Sequence, residues 1–259
     1  MPDTMLNVRL LAHTPDPVTT IALAGRLCYS DSDILSLREG VRGRAPQFVE
    51  KLVSMGHLSP LEHASFTFGV QGVSRALLAQ ITRHRIASFS VQSQRYVKQS
   101  GANYIVPPTV EALGEEAVAR YHEQMDVIWG FYGEWLNAGI PAEDARFVLP
   151  NGAETRMVFT MNARELMHFF SLRCCTRAQW EIRRLAWCML GLARREAPEL
   201  FSNSGPGCVA GACTEGAMSC KRQKEMRALS DALTALAGSG ADDDAILNWA
   251  LENINNEAN

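Results

Sequence analysis

His63-Ala64-Ser65-Phe66-Thr67-Phe68-Gly69-Val70-Gln71 alternates apolar and polar side chains. Ala64, Phe66, Phe68 and Val70 fall on one side, and Ser65, Thr67 and Gln71 on the other, which is the period of a strand with one buried face. Just before it, Gly56-His57-Leu58-Ser59-Pro60 breaks a helix expected over 45–55, where Phe48, Leu52 and Val53 share a face. Just after it, a helix is expected from Ser74 to about Arg83, with Leu77, Leu78 and Ile81 inward. Residues 155–160 alternate more weakly and are read as a second strand. Further helices are expected over 17–29, 110–138, 164–172 and 178–195, with a short one from Pro141. The long 110–138 helix carries Tyr121, Met125, Ile128, Trp129, Tyr132 and Trp135 at helical spacing, a stripe suited to core or to a subunit interface. These patterns give an α+β fold in which a small antiparallel sheet is packed with helices.

The segment 83–96 follows the strand and its helix. It holds three arginines, a histidine, three serines and two glutamines, with no acidic residue. It is read as irregular chain. A guanidinium pairs with phosphate through two parallel charge-assisted hydrogen bonds, and amides and hydroxyls read polar ring edges. The segment therefore suits an anionic, hydrogen-bonding small molecule such as a nucleotide. A solvated basic loop and a single-stranded nucleic-acid groove, with Phe89 and Tyr96 as stacking rings, are the rival readings.

The bulk numbers weigh against that second rival. The chain has 259 residues, a net charge of −3 and 47% hydrophobic residues, enough for a sizeable core but not basic throughout. No apolar run reaches the length of a membrane span. Residues 1–9 lack the basic-then-apolar layout of a signal peptide. The seven cysteines are an odd number, so reduced thiols and a cytoplasmic location are expected. Composition shifts after Phe201. Residues 202–220 are rich in Gly, Ser and Cys, a helix is expected over 221–237, Gly238-Ser239-Gly240 is a linker, and 242–254 is a final amphipathic helix. We divide the chain into a working domain over 1–201 and an appendage over 202–259.

Covalent and metal chemistry find little support. There is no His-Glu-x-x-His, Cys-x-x-Cys, Gly-x-Ser-x-Gly or Gly-rich phosphate loop. His57 and His63 beside Glu62 lack a third ligand at metal spacing, and histidines so placed more often satisfy backbone groups. Cys208, Cys213 and Cys220 have four and six residues between them; with a fourth ligand they could hold zinc, and otherwise they are reduced surface thiols. An enzyme of this composition would rely on a bound cofactor for its hard chemistry.

Polar residues that break their local pattern form four clusters: His57, Ser59, Glu62 and His63; Gln80 with 83–95; Arg146; and Asn162-Ala163-Arg164 with His168 and Arg173. Taken alone, Arg146 and Arg173 could be structural ion-pair arginines. The clusters also carry a resemblance. Arg83-His84-Arg85, seven residues and then Ser93 resembles the signature of the flavin-dependent thymidylate synthases. Gly56-His57-Leu58-Ser59-Pro60-Leu61-Glu62-His63, Ala145-Arg146-Phe147-Val148-Leu149-Pro150, Asn162-Ala163-Arg164-Glu165-Leu166, and Leu172-Arg173 with Ala178-Gln179-Trp180-Glu181 are similar to further blocks of that family, in order.

The resemblance implies reductive methylation of dUMP to dTMP. Methylenetetrahydrofolate would be the one-carbon donor, and electrons would pass from NADPH through FAD. It implies a homotetramer with sites between subunits, and neither a nucleic-acid partner nor a membrane. For dUMP it implies Gln80, Arg83, Val91, Gln92, Ser93, Gln94, Arg95 and Arg146. Ser93 and Arg95 would be at the phosphate. Arg173 would face the uracil and favour ionisation at N3, as the catalytic residue. For FAD it implies His57, Ser59, Arg83, His84, Arg85, Val91 through its backbone, Asn162, Ala163, Arg164 and His168. Three positions depart from the pattern: Val91 stands where some members are acidic, His168 where others have asparagine, and Arg177 where some have histidine.

Overall fold

The computed structural model describes residues 5–41, 43–99 and 101–254, so the first four residues read for an export signal lie outside it. One antiparallel sheet organises the described chain. Its strands are β1 (Asn7–His13), β2 (Ser65–Ser74), β3 (Ala87–Val91) and β4 (Glu154–Asn162). They lie in the order β1-β2-β4-β3. At the centre, Phe66 faces Met161 and Phe68 faces Phe159 across the β2–β4 pair, and all four side chains are buried. On the opposite face Thr67 and Thr160 join hydroxyls at 2.9 Å. The alternation read from residues 63–71 is thus realised.

Gly72 bends β2. Its φ is +71°, and a Cβ there would lie 2.0 Å from the Met5 carbonyl oxygen, so only glycine fits where the N-terminal chain crosses the strand. The register shifts at this point, between Val70 and Val73. Ser74 then caps the following helix by accepting from the Leu77 N–H. Its own N–H and hydroxyl both donate to the buried Glu181 carboxylate, at 2.6 and 2.5 Å. Burial pushes the Glu181 carboxyl up, and the Ser74 hydrogen bonds oppose that shift.

Three helices precede β2: α1 (Pro17–Leu27), α2 (Ile34–Val41) and α3 (Ala45–Ser54). A 3₁₀ turn, Ser59–His63, leads into the strand. Next come α4 (Arg75–Ile81), α5 (Pro108–Glu111), α6 (Glu115–Asn137) and α7 (Ala142–Ala145), then α8 (Ala163–Arg173) and α9 (Trp180–Glu196) after β4. The helix expected over 110–138 is two helices, divided at Gly114, whose φ is +98°. Two strands differ from expectation. Residues 87–91 are a strand, not irregular chain: Ala87, Phe89 and Val91 pack against the core while Ser88 and Ser90 are exposed. Those outward serines make the strand look like loop in sequence. β1 was not anticipated, because a bulge between Leu10 and Ala12 breaks its alternation.

α9 lies at the centre of the helical layer and is buried along most of its length. After it come α10 (Pro198–Phe201), α11 (Gln223–Gly238) and α12 (Asp243–Asn253). Between α10 and α11, residues 202–222 have no regular structure beyond the 3₁₀ turn Gly216–Met218. α11 and α12 both pack on α9. A Cβ on Gly191 would meet Ile246 at 2.6 Å and Leu233 at 2.9 Å, so the helices touch where α9 has no side chain.

Arg194 secures this packing from inside. It is 2% exposed. It donates to the carbonyls of Phe201, Ser204 and Ser230 at 3.1, 2.7 and 2.7 Å, and to the hydroxyls of Ser230 and Thr234 at 2.7 and 2.9 Å. Burial draws its pKa down to about 10. The buried charge is held by a fork of oxygens that an ammonium cannot match. Arg194→Lys is therefore expected to lower the unfolding free energy by roughly 3–5 kcal/mol. Denaturant unfolding checks this, and a change within error would show that the fork carries no stability.

Candidate functional site

α4 ends at Ile81, and the chain turns through Arg83-His84-Arg85 into β3. The three side chains separate: Arg83 and Arg85 are exposed, while His84 is only 4% exposed. His84 Nδ1 lies 2.8 Å from Glu165 Oε1. Its Nε2 accepts from Arg173 Nε at 3.1 Å. An accepting Nε2 carries no proton, so Nδ1 carries it and donates to Glu165. Burial lowers the His84 pKa. Glu165 pulls it back up through the hydrogen bond, Arg173 and His168 add to the lowering, and the balance favours the neutral ring. Phe169 packs edge-on at 4.9 Å and His168 at 5.8 Å.

Arg173 is fixed at a second point, where it donates to the Gln80 carbonyl at 3.4 Å. Burial lowers its pKa, and so does the charge of Arg83. Among the described residues neither arginine forms an ion pair. The two positive charges repel one another, and a field of this sign favours an anion.

Residues expected at the flavin gather where α8 begins. Asn162 caps the helix, its amide oxygen accepting from the Glu165 N–H at 2.8 Å. Ala163 is buried and its N–H donates to the Ala64 carbonyl at 2.8 Å. Arg164 reaches Glu62 at 2.5 Å, and both side chains are about half exposed. Asn162, Arg164 and His168 line a concavity of about 620 Å³ with Leu58, Glu62 and Ile86. Ser59 opens the neighbouring 3₁₀ turn, and His57 Nδ1 lies 3.3 Å from the Tyr29 hydroxyl.

Residues expected at the nucleotide fall into two groups. Gln80, Arg83 and Arg173 stand beside His84. Arg95 and Arg146 meet at Glu143: Arg95 Nε reaches its carboxylate at 2.8 Å, and Arg146 Nε donates to its carbonyl at 3.0 Å. Ser93 accepts from the Arg95 N–H at 3.2 Å. Gln94 is buried, and its Nε2 has no hydrogen-bond partner. Val91 and Gln92 lie at the edge of a separate concavity of about 670 Å³, also lined by Arg9 and Arg156, while the Val91 side chain packs on the core. Among the described residues no hydrogen bond or ion pair joins the two groups.

Three residues escaped the sequence reading. Glu165 and Glu143 hold His84 and Arg95, and looked like ordinary helix-surface acids. Arg75 opens α4; burial lowers its pKa and so does Arg146, making a second pair of neighbouring cations. Among the described residues, the ligand atoms of His84, Glu165 and His168 lie within 4.8 Å of one another. Both His84 nitrogens are already engaged, one by a guanidinium, so the cluster serves Arg173 better than a metal. Phe89 packs on Phe159 with ring centroids 5.7 Å apart, which removes it as a base-stacking platform.

Comparison with known proteins bears on the whole of this region. Residues 9–199 match the family model described as thymidylate synthase complementing protein. A flavin-dependent thymidylate synthase of Geobacter sulfurreducens is 51% identical over 227 residues, 86% of this chain and 97% of that one. One from Clostridium tetani is 45% identical over 238 residues, 86% and 96% of the two chains. A crystal structure of the UMP/dUMP methylase PolB from Streptomyces cacaoi, bound with 5-Br dUMP, superposes with a TM-score of 0.66 at 26% identity. It covers 76% of this chain and 93% of PolB.

The neutral His84 has a consequence for stability. Its folded pKa lies below the ordinary value of about 6.5, so its contribution is complete above that pH and is lost as pH falls toward the folded value. Wild type is expected to lose stability on acidification more steeply than His84→Gln. The slopes should differ by up to about 1.4 kcal/mol per pH unit. Equal slopes in unfolding curves across this range would remove His84 as the titrating group.

Proposed function

The chain belongs to the flavin-dependent thymidylate synthase family, and from that membership we propose how its residues divide the work. It is a methyltransferase of dTMP biosynthesis, acting on dUMP with FAD as cofactor. The reading extends to methylenetetrahydrofolate as the one-carbon donor, NADPH as reductant, a cytoplasmic location and a homotetramer. Among the described residues no helix is long and apolar enough to cross a membrane.

The donor set at the α8 concavity suits FAD. Arg164 and Arg85 offer exposed cations for a pyrophosphate, and His168 with the Asn162 amide nitrogen offers ring and amide donors. Ser59 and His57 border the same region. The side chains of Ala163 and His84 are buried, so they would act through backbone and packing. FAD, when bound and reduced by NADPH, would supply the electrons that reduce the transferred one-carbon unit.

The anchoring of Arg173, within the field of Arg83, carries the assignment of the uracil end. His84 and the Gln80 carbonyl hold Arg173 in one orientation, leaving its remaining N–H groups for substrate. A cation fixed before substrate arrives stabilises the anion that forms when N3 loses its proton, without reorganising at that moment. Ser93, Arg95 and Arg146 would take the phosphate, with Arg75 adding charge and the buried Gln94 amide a donor. The Arg95–Glu143 pair is exposed, so a phosphate dianion displaces the carboxylate at small cost.

Two features support a site completed by another subunit. Among the described residues no hydrogen bond or ion pair joins the lining of the α8 concavity to Ser93, Arg95 or Arg146 within one chain. Tyr96 and Phe147, beside Arg95 and Arg146, are 80% and 83% exposed, large apolar surfaces of the kind that subunit contacts cover. In this reading residues 1–201 carry the reaction, and residues 202–254 buttress α9.

Arg173→Ala is expected to retain flavin absorbance but lower kcat for dTMP formation by about 10²–10³-fold. Near-wild-type turnover would refute the role at N3. Ser93→Ala should raise the KM for dUMP roughly tenfold or more with flavin content unchanged. Parallel loss of flavin would make the 93–95 turn structural.

A further inference from the structure

The three cysteines of the 202–222 segment find a fourth in the fold. Cys175 lies in the turn between α8 and α9, two residues after Arg173. It lines the same small cavity as Cys208, Cys213 and Cys220. The other three cysteines, Cys28, Cys174 and Cys188, do not line it.

We propose that Cys175, Cys208, Cys213 and Cys220 form a tetrathiolate site for a single structural zinc ion that ties the Gly-rich segment to the α8–α9 turn. Four thiolates are a donor set that soft, tetrahedral coordination selects. The cavity that they line is small, about 10 Å³, the scale of a single ion. Among the described residues, the three-ligand set already within 4.8 Å is the His84 group and not these thiols. Zinc would draw the sulfurs in to about 2.3 Å from the ion.

The surroundings match such an ion. Arg177 lines the cavity together with Glu215, and Arg222, paired with Glu225, lies near Cys220, so positive as well as negative charge borders a centre that would carry a net charge of about −2 from four thiolates on Zn²⁺. The carbonyl of Cys208 accepts from Gln223 at 3.2 Å and from Arg227 at 3.1 Å, which pins the loop to α11. A Cβ on Gly207 would meet the Thr214 hydroxyl at 2.9 Å, so the loop closes tightly across the cavity mouth. Irregular chain of this length loses conformational entropy that these few hydrogen bonds offset only in part, and a metal staple would add to them.

The full chain, purified under reducing conditions, is expected to contain about one zinc per chain by elemental analysis. Cys213→Ser and Cys220→Ser should lose most of it, and Cys28→Ser, an exposed cysteine outside the set, should keep it. Independently of variant folding, chelator treatment of wild type should expose four additional thiols to a colorimetric thiol reagent. Co²⁺ added to the chelated protein should give the intense visible bands of a tetrahedral tetrathiolate. The proposal fails if the reduced, metal-free protein takes up neither Zn²⁺ nor Co²⁺. It fails also if iron is the bound metal, if these cysteines are isolated as disulfides, or if Cys28→Ser loses metal equally.

Discussion

The buried imidazole of His84 is the contact on which the site's geometry depends. It joins the turn after α4 to Glu165 on α8 and to Arg173 at the end of the same helix. With both ring nitrogens committed, the histidine cannot rotate without stranding a buried carboxylate and releasing the guanidinium. Its neighbours in sequence, Arg83 and Arg85, are thereby turned outward on either side of one anchor. A family signature of two arginines around a histidine thus reads as two exposed cations mounted on a structural pivot.

The pivot is placed by the β2–β4 pair. Each strand ends in a side chain that caps the helix following it: Ser74 caps α4 and Asn162 caps α8. Both helices start from the sheet by the same device, an extended residue whose side-chain oxygen accepts from the first turn. Glu181, the first acidic residue of α9, then fastens Ser74 from behind. The N-terminus of α4 is therefore set by α9, while its C-terminus is set by α8 through Arg173 and the Gln80 carbonyl.

How far the sequence could be read follows from these contacts. The β2 alternation, the helices α1, α3, α8, α9, α11 and α12, and the polar clusters were legible because each depends on local period or local chemistry. β3 was not, because its inward residues Ala87, Phe89 and Val91 are interleaved with exposed serines and flanked by arginines. The roles within the motifs were also hidden. Asn162, Ala163 and His84 look like ligand contacts in sequence, yet they spend side-chain or backbone groups on holding the fold. Glu165 and Glu143 resemble surface acids until the fold brings them to His84 and Arg95 across long stretches of chain. The fourth cysteine, Cys175, lies 33 residues before Cys208 and could be joined to the others only through the packing of α9 against the tail.

In two pairs, Arg83 with Arg173 and Arg75 with Arg146, the charge of one guanidinium lowers the pKa of the other. Like charges of this kind do not favour folding, and burial adds to the cost. In the proposed function the arrangement is preorganisation: the repulsion is built in during folding and would be relieved when an anion binds. Binding then gains what folding gave up, because the arginines need not be gathered from solvent. The neutral state of His84 belongs to the same balance. A protonated imidazole against Arg173 would place a third positive charge beside the pair. Depressing the pKa of His84 by burial keeps the cationic seat at two charges and leaves Nε2 free to hold one of them in place.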